Sequence, residues 1–278
     1  MNILEFSLLV WFGSFVAGFL GALTGLGGGV VIVPFLTLVF GVDIRYAIGA
    51  SLVSVIATSS GAASAYVKEG YTNVRLGMFL EVATTFGAIF GAIVAAKIST
   101  GALAVVFGIV LLYSAYLSRQ SQPEHLNNLS PNSLAIRLHL NSTYPTPTGE
   151  QAYNVGGVPF GFGLMFVAGI LSGLLGIGAG ALKVLAMDKI MHIPFKVSTT
   201  TSNFMIGVTA AASAGIYLNR GYIDPGLAMP VMLGVLFGAL LGARVLVRAR
   251  VELLRNIFSV VILVLAVEMI YKGLTERL

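Results

Sequence analysis

Apolar runs of about twenty residues fill most of the chain, and polar residues collect at their edges. The clearest runs cover residues 46–66, 74–96, 101–118, 195–218, 226–247 and 252–271. A helix needs about 20 residues to cross a hydrocarbon core, so each run predicts a membrane-spanning helix. A transmembrane β-barrel would show short alternating strands instead. Two further runs, 6–40 and 158–191, are each interrupted by a glycine cluster, Gly25-Leu-Gly-Gly-Gly29 and Gly176-Ile-Gly-Ala-Gly180. The one long polar stretch, 119–157, is rich in Asn, Ser, Thr and Pro and predicts a flexible linker. Met1 to Glu5 contains no Lys or Arg, so the basic start of a secretory signal is missing and the first run is expected to be retained as a helix.

The pattern occurs twice. Phe15 to Gly29 reappears 151 residues later as Phe166 to Gly180, and the register holds without a gap as far as Phe86-Gly-Ala-Ile-Phe-Gly-Ala92 against Phe237-Gly-Ala-Leu-Leu-Gly-Ala243. On the way it pairs Ser51 with Ser202, Thr58 with Thr209 and Tyr66 with Tyr217. Whether each half crosses the membrane four or five times depends on whether its glycine cluster kinks the chain or reverses it. Lys and Arg concentrate on the cytoplasmic side, and this decides the matter. Four crossings divide the loop Lys and Arg residues 7 to 8, whereas five divide them 10 to 5, with Lys183 set aside as intramembrane in both counts. The sequence therefore predicts an all-α polytopic membrane protein of ten segments in an inverted 5+5 repeat with glycine-broken helices and both termini outside the cytoplasm. The repeats are residues 1–118 and 158–278, joined by the linker 119–157. Residues 30–40 give a helix only ~16 Å long, so the break is expected to lie within the membrane, in protein or against a water-filled cavity.

Composition agrees and narrows the function. The chain is 57% hydrophobic and 10% charged with a mean hydropathy of +0.93, against about 25% charged residues in soluble domains. It has no cysteine, which excludes disulfides, thiolate metal sites and thiol chemistry. The net charge of +5 comes from basic residues set singly at helix ends, which suits lipid headgroups and not nucleic acid. His125, His139 and His192 lie in the linker or at a helix end without a second ligand or nucleophile at motif spacing, and no P-loop is present. Enzymatic, metal-dependent and cofactor-dependent readings therefore have little material.

Paired interrupted segments in corresponding halves are the best sequence pointer to a transporter's substrate site. Glycine lets the backbone bring its N–H groups close to a ligand. Helices restarting after Gly29 and Gly180 would aim free N–H groups and positive dipole ends at the break, which suits a small oxyanion. Gly25, Gly27, Gly28, Gly29, Gly176, Gly178 and Gly180 are the candidate cradle. Glycines such as Gly18, Gly87, Gly91 and Gly238 read instead as close helix packing. Ser51 and Ser202 either donate to the anion or bond helix backbone, while Ser54, Thr58 and Thr209 read first as bonding their own helices. Asn203 replaces Leu52 of the first half and is a further candidate.

Two ionisable residues stand out inside apolar runs, away from the run ends where Arg244 and Glu268 read as interfacial anchors, and such residues are functional hypotheses by default. Lys183 either supplies fixed positive charge to an anion or snorkels to a nearby surface. Glu81 either carries a coupling proton or bonds a neighbouring helix. The expected partners are a small anionic substrate and membrane lipid, and assembly of identical chains stays open. A passive anion channel or a non-transporting membrane subunit are the competing classes.

The ordered, duplicated set of motifs resembles the TauE/SafE family of sulfite and organosulfonate exporters over nearly the whole chain. The first-repeat signature is carried by Gly25 to Pro34, Ala47-Ile-Gly-Ala-Ser-Leu52, Tyr66 and Gly70-Tyr-Thr-Asn-Val-Arg75. The second is carried by Gly176 to Gly180, Ser198-Thr-Thr-Thr-Ser-Asn203 and Gly221-Tyr-Ile-Asp-Pro225. Two departures stand out, Ala179 where the first copy has Gly28 and a polar run from Lys183 to Lys189. The resemblance implies a secondary transporter, an exporter of sulfite or an organosulfonate coupled to the proton gradient, in a bacterial or archaeal inner membrane.

Overall fold

The computed structural model describes residues 2–24, 28–68, 70–119, 133–146, 149–246 and 251–275. The helices are α1 (Ile3–Thr24), α2 (Gly29–Phe40), α3 (Ile44–Lys68), α4 (Val74–Ala95), α5 (Thr100–Arg119), α6 (Ser133–Arg137), α7 (Val158–Leu175), α8 (Gly180–Leu185), α9 (Phe195–Asn219), α10 (Pro225–Leu246) and α11 (Val251–Leu274). A π-helical turn, Ala186–Ile190, continues α8, and strands β1 (Ser142–Thr146) and β2 (Gly149–Tyr153) form a hairpin. Both interrupted runs are thus two helices each.

This is an all-helical membrane protein apart from that hairpin. Among the described residues, α1, α4, α7 and α10 are the helices long and apolar enough to cross a membrane by themselves. They present large apolar side chains outward, with Phe86 65% exposed and Phe160 79% exposed. So much apolar surface matches lipid and not water. The longer α3 and α9 carry more hydroxyls and pack on each other, with Ser51, Ser54, Ser202 and Thr209 buried.

The helices pack reciprocally. In corresponding positions of the two halves, α1 lies on α10 and α7 on α4, while α3 meets α9 and α5 meets α11. The repeated glycines reproduce this in detail. A methyl on Gly18 of α1 would lie 2.7 Å from Val235 Cα, and one on its counterpart Gly169 of α7 would lie 2.8 Å from Thr84 Cα. Likewise a methyl on Gly87 would lie 3.0 Å from Ile170 N and one on Gly238 would lie 2.8 Å from Phe19 N. Val235 is the repeat mate of Thr84, and Phe19 of Ile170. These positions must be glycine because backbone touches backbone, as in small-residue packing generally.

The polar stretch expected to be a flexible linker is structured over its described part. Leu140, Tyr153 and Val155 join Leu76, Met187, Met191 and Ile193 in one apolar cluster, so α6 and the hairpin form a cap over the ends of α4 and the π-turn. Asn73 holds the cap in place. Its Oδ1 accepts from Leu76 N at 3.0 Å, capping α4, while its Nδ2 donates to Leu140 O at 2.9 Å and to Tyr153 Oη at 2.8 Å. Burial pushes the Tyr153 phenol up to about 12, so it stays a neutral hydroxyl.

Candidate functional site

The second glycine break turns by three residues in the left-handed region, Gly176 (φ 69°), Gly178 (φ 71°) and Ala179 (φ 48°). Alanine is the uncommon member, since a Cβ there crowds the following carbonyl. Its repeat mate Gly28 has φ −66°, an ordinary helical value, so the backbone differs between the halves at this position. Gly178 has no room for a side chain, because a methyl would lie 2.7 Å from Ile206 Cγ2. In the first break, Gly28 and Gly29 are buried, whereas Gly25 and Gly27 lie outside the described residues.

The two breaks meet. A methyl on Gly29 would lie 3.2 Å from Gly176 O and 2.7 Å from Ser51 Oγ. Ser51 of α3 donates to Gly176 O at 2.8 Å, tying the first half to the break of the second, and Ser202 of α9 donates to Gly180 O at 3.3 Å. Both hydroxyls hold break carbonyls. Ser54 and Thr58 bond carbonyls of their own helix, and Asn203 is half-buried on α9 next to Ser202. A recess between α2, α5 and the second break, lined by Val30, Val110, Ser114, Ile177, Ala179 and Gly180, has about 10 Å³ for the centre of a water molecule. That is room for about one solvent molecule.

The strongest electrostatic feature lies one turn past the second break. Lys183 of α8 is fully buried and does not snorkel. Its ammonium donates to Thr209 Oγ1 of α9, and Thr209 Oγ1 donates to Glu81 Oε1 of α4 at 2.7 Å. Thr85 Oγ1 also donates to Glu81 Oε1, at 3.1 Å. Glu81 is 7% exposed, and its Oε2 is buried without a hydrogen-bond partner among the described residues. A cation and a carboxylate from opposite halves are therefore joined through one hydroxyl.

Sequence reasoning singled out Lys183 and Glu81 separately, because each is ionisable in an apolar run. It missed Thr209 as their bridge, since Thr209 lies 26 residues from one and 128 from the other. The repeat mates of the three are Ile32, Thr58 and Met232, so the equivalent positions in the other half of the sequence carry no charge.

Comparison with known proteins points to a membrane transporter. The family model described as "Sulfite exporter TauE/SafE" matches residues 10–269. The chain is 29% identical to "Probable membrane transporter protein YunE" of Bacillus subtilis, over 98% of this chain and 99% of that protein. It is 25% identical to "Probable membrane transporter protein MJ0441" of Methanocaldococcus jannaschii, over 83% of each chain. No solved structure matches.

Proposed function

The chain belongs to the sulfite exporter TauE/SafE family, and on that premise we propose that it is a secondary transporter, an exporter, of small sulfur oxyanions such as sulfite or an organosulfonate, coupled to protons. The observation that carries this reading is a fully buried lysine one turn from a glycine break that meets its repeat mate inside a membrane protein. A buried cation needs a negative partner, and Lys183 meets the Glu81 carboxylate through Thr209 Oγ1 rather than directly. Lys183, the break residues Gly28, Gly29, Gly176, Gly178 and Gly180, and the neighbouring Ser51, Ser202 and Asn203 would then hold the anion, with Glu81 carrying the proton.

We further propose ten segments, in an inverted 5+5 repeat of residues 1–118 and 158–278, in a bacterial or archaeal inner membrane. The reciprocal packing of α1 on α10 and α7 on α4 supports this, as does the 10 to 5 division of loop charges. A passive pore is less well supported, because the breaks are packed against each other.

A binding screen of purified protein against sulfite, sulfate, thiosulfate and sulfoacetate, with chloride as control, tests the substrate class. A ligand at 100 times its Kd stabilises the folded protein by about 2.7 kcal/mol, which a thermal-shift measurement detects. Stabilisation by at least one sulfur oxyanion over chloride is expected. Equal melting in all five salts would overturn the proposal.

A further inference from the structure

We propose that Lys183 is a shared counterion, held by Glu81 through Thr209 when the site is empty of substrate and surrendered to the transported anion when Glu81 takes a proton. Anion and proton would then bind together and cross in the same direction. This deepens the anion-transport reading and rests on it.

The argument starts from the number of partners available. Lys183 is completely buried, and its ammonium is engaged with Thr209, which passes the interaction to Glu81. One hydroxyl has one proton, and of the three acceptors within reach of Thr209 Oγ1, Glu81 Oε1 at 2.7 Å is nearer than Met205 O at 3.1 Å or Thr84 Oγ1 at 3.5 Å, so Thr209 accepts from Lys183 and donates foremost to Glu81. An anion arriving at the second break meets a cation already neutralised. Two negative charges sharing one ammonium in a low-dielectric site repel strongly, so one must lose its charge. Glu81 can do so, because its Oε2 is buried without a partner and is the open position for a proton.

Among the described residues, the helices most extensively packed on α4 are α7 and α9, and α8 packs on α9, α7 and the π-turn. Helix α7 contains no ionisable residue, and α9 has Lys196 and Tyr217 only at its two ends. In the π-turn, Asp188 and Lys189 lie 3.6 Å from each other. Arg75, at the start of α4, is directed to His139 O. The apolar repeat mates Ile32 and Met232 argue that the pair is not required for packing, so its presence on one side only is a functional asymmetry.

Co-movement fixes the energetics of export. If anion and proton leave together, the outward gradient of the anion drives the cycle, and an inward proton gradient opposes it.

Calorimetric titration of the purified protein with sulfite, in buffers of different ionisation enthalpy, counts the protons taken up on binding. The wild type is compared with Glu81→Gln, so sulfite's own titration cancels in the difference. Wild type is expected to take up about one proton more than the variant, and its affinity should fall about tenfold per pH unit relative to the variant's wherever that extra proton is taken up. Thr209→Ser should keep this difference and Thr209→Val should shrink it. Equal proton uptake by wild type and a folded Glu81→Gln would overturn the shared-counterion proposal while leaving anion transport intact. Absence of sulfite, sulfate, thiosulfate and sulfoacetate binding to wild type would instead overturn the transport reading beneath it.

Discussion

Replacing Lys183 by Ile, its own repeat mate, tests whether the buried charges are coupled as the geometry requires. The variant leaves the Glu81 carboxylate 7% exposed, with Thr209 and Thr85 as its donors and no cation behind them. Removing one partner of a buried ion pair costs about 3–5 kcal/mol. At about 2–4 °C per kcal/mol for chains of this order of size, the melting temperature should fall by roughly 6–20 °C. Adding Glu81→Met, again the repeat mate, removes the stranded charge and should recover most of the loss, because Ile32 and Met232 occupy the equivalent positions in the other half. Thermal unfolding of the four proteins in one detergent provides the cycle. Additive losses in the double variant would refute the coupling.

Gly169→Ala and Gly18→Ala place a methyl 2.8 Å and 2.7 Å from backbone atoms in equivalent contacts, so each should destabilise by about 1–3 kcal/mol, and by similar amounts, in thermal unfolding. Ala179→Gly relieves a left-handed alanine at φ 48° and should raise stability by about 1 kcal/mol in the same assay. Asn73→Ala removes the α4 cap and two buried donations to the linker, at a cost of about 2–4 kcal/mol. The released cap should be seen as faster tryptic cleavage at the exposed Arg137.

Periodicity and length located the helices closely because the lipid requirement is strict. The run at 74–96 is helix Val74–Ala95, and that at 195–218 is Phe195–Asn219. The glycine clusters marked where α1 yields to α2 and α7 to α8, since only residues without a Cβ fit the turn at Gly178. What periodicity could not supply was the third dimension. Thr209 looked like any helix hydroxyl bonding its own backbone, and it does also reach Met205 O at 3.1 Å. Its position between Lys183 and Glu81 depends on α4, α8 and α9 converging from distant parts of the chain. The hairpin at 142–153 was hidden for a different reason. Its composition is that of a loop, and its order comes from Tyr153 and Leu140 packing on methionines of the second half and from Asn73.

Saturable transport is the central claim, and sulfite counterflow in proteoliposomes tests it most directly. Vesicles loaded with unlabelled sulfite should accumulate labelled sulfite from outside transiently, with a rate that saturates, and the stable Lys183→Ile, Glu81→Met double variant should show neither effect. A flux that rises linearly with concentration, without overshoot, and is equal in wild type and the double variant would contradict a carrier that works through Lys183.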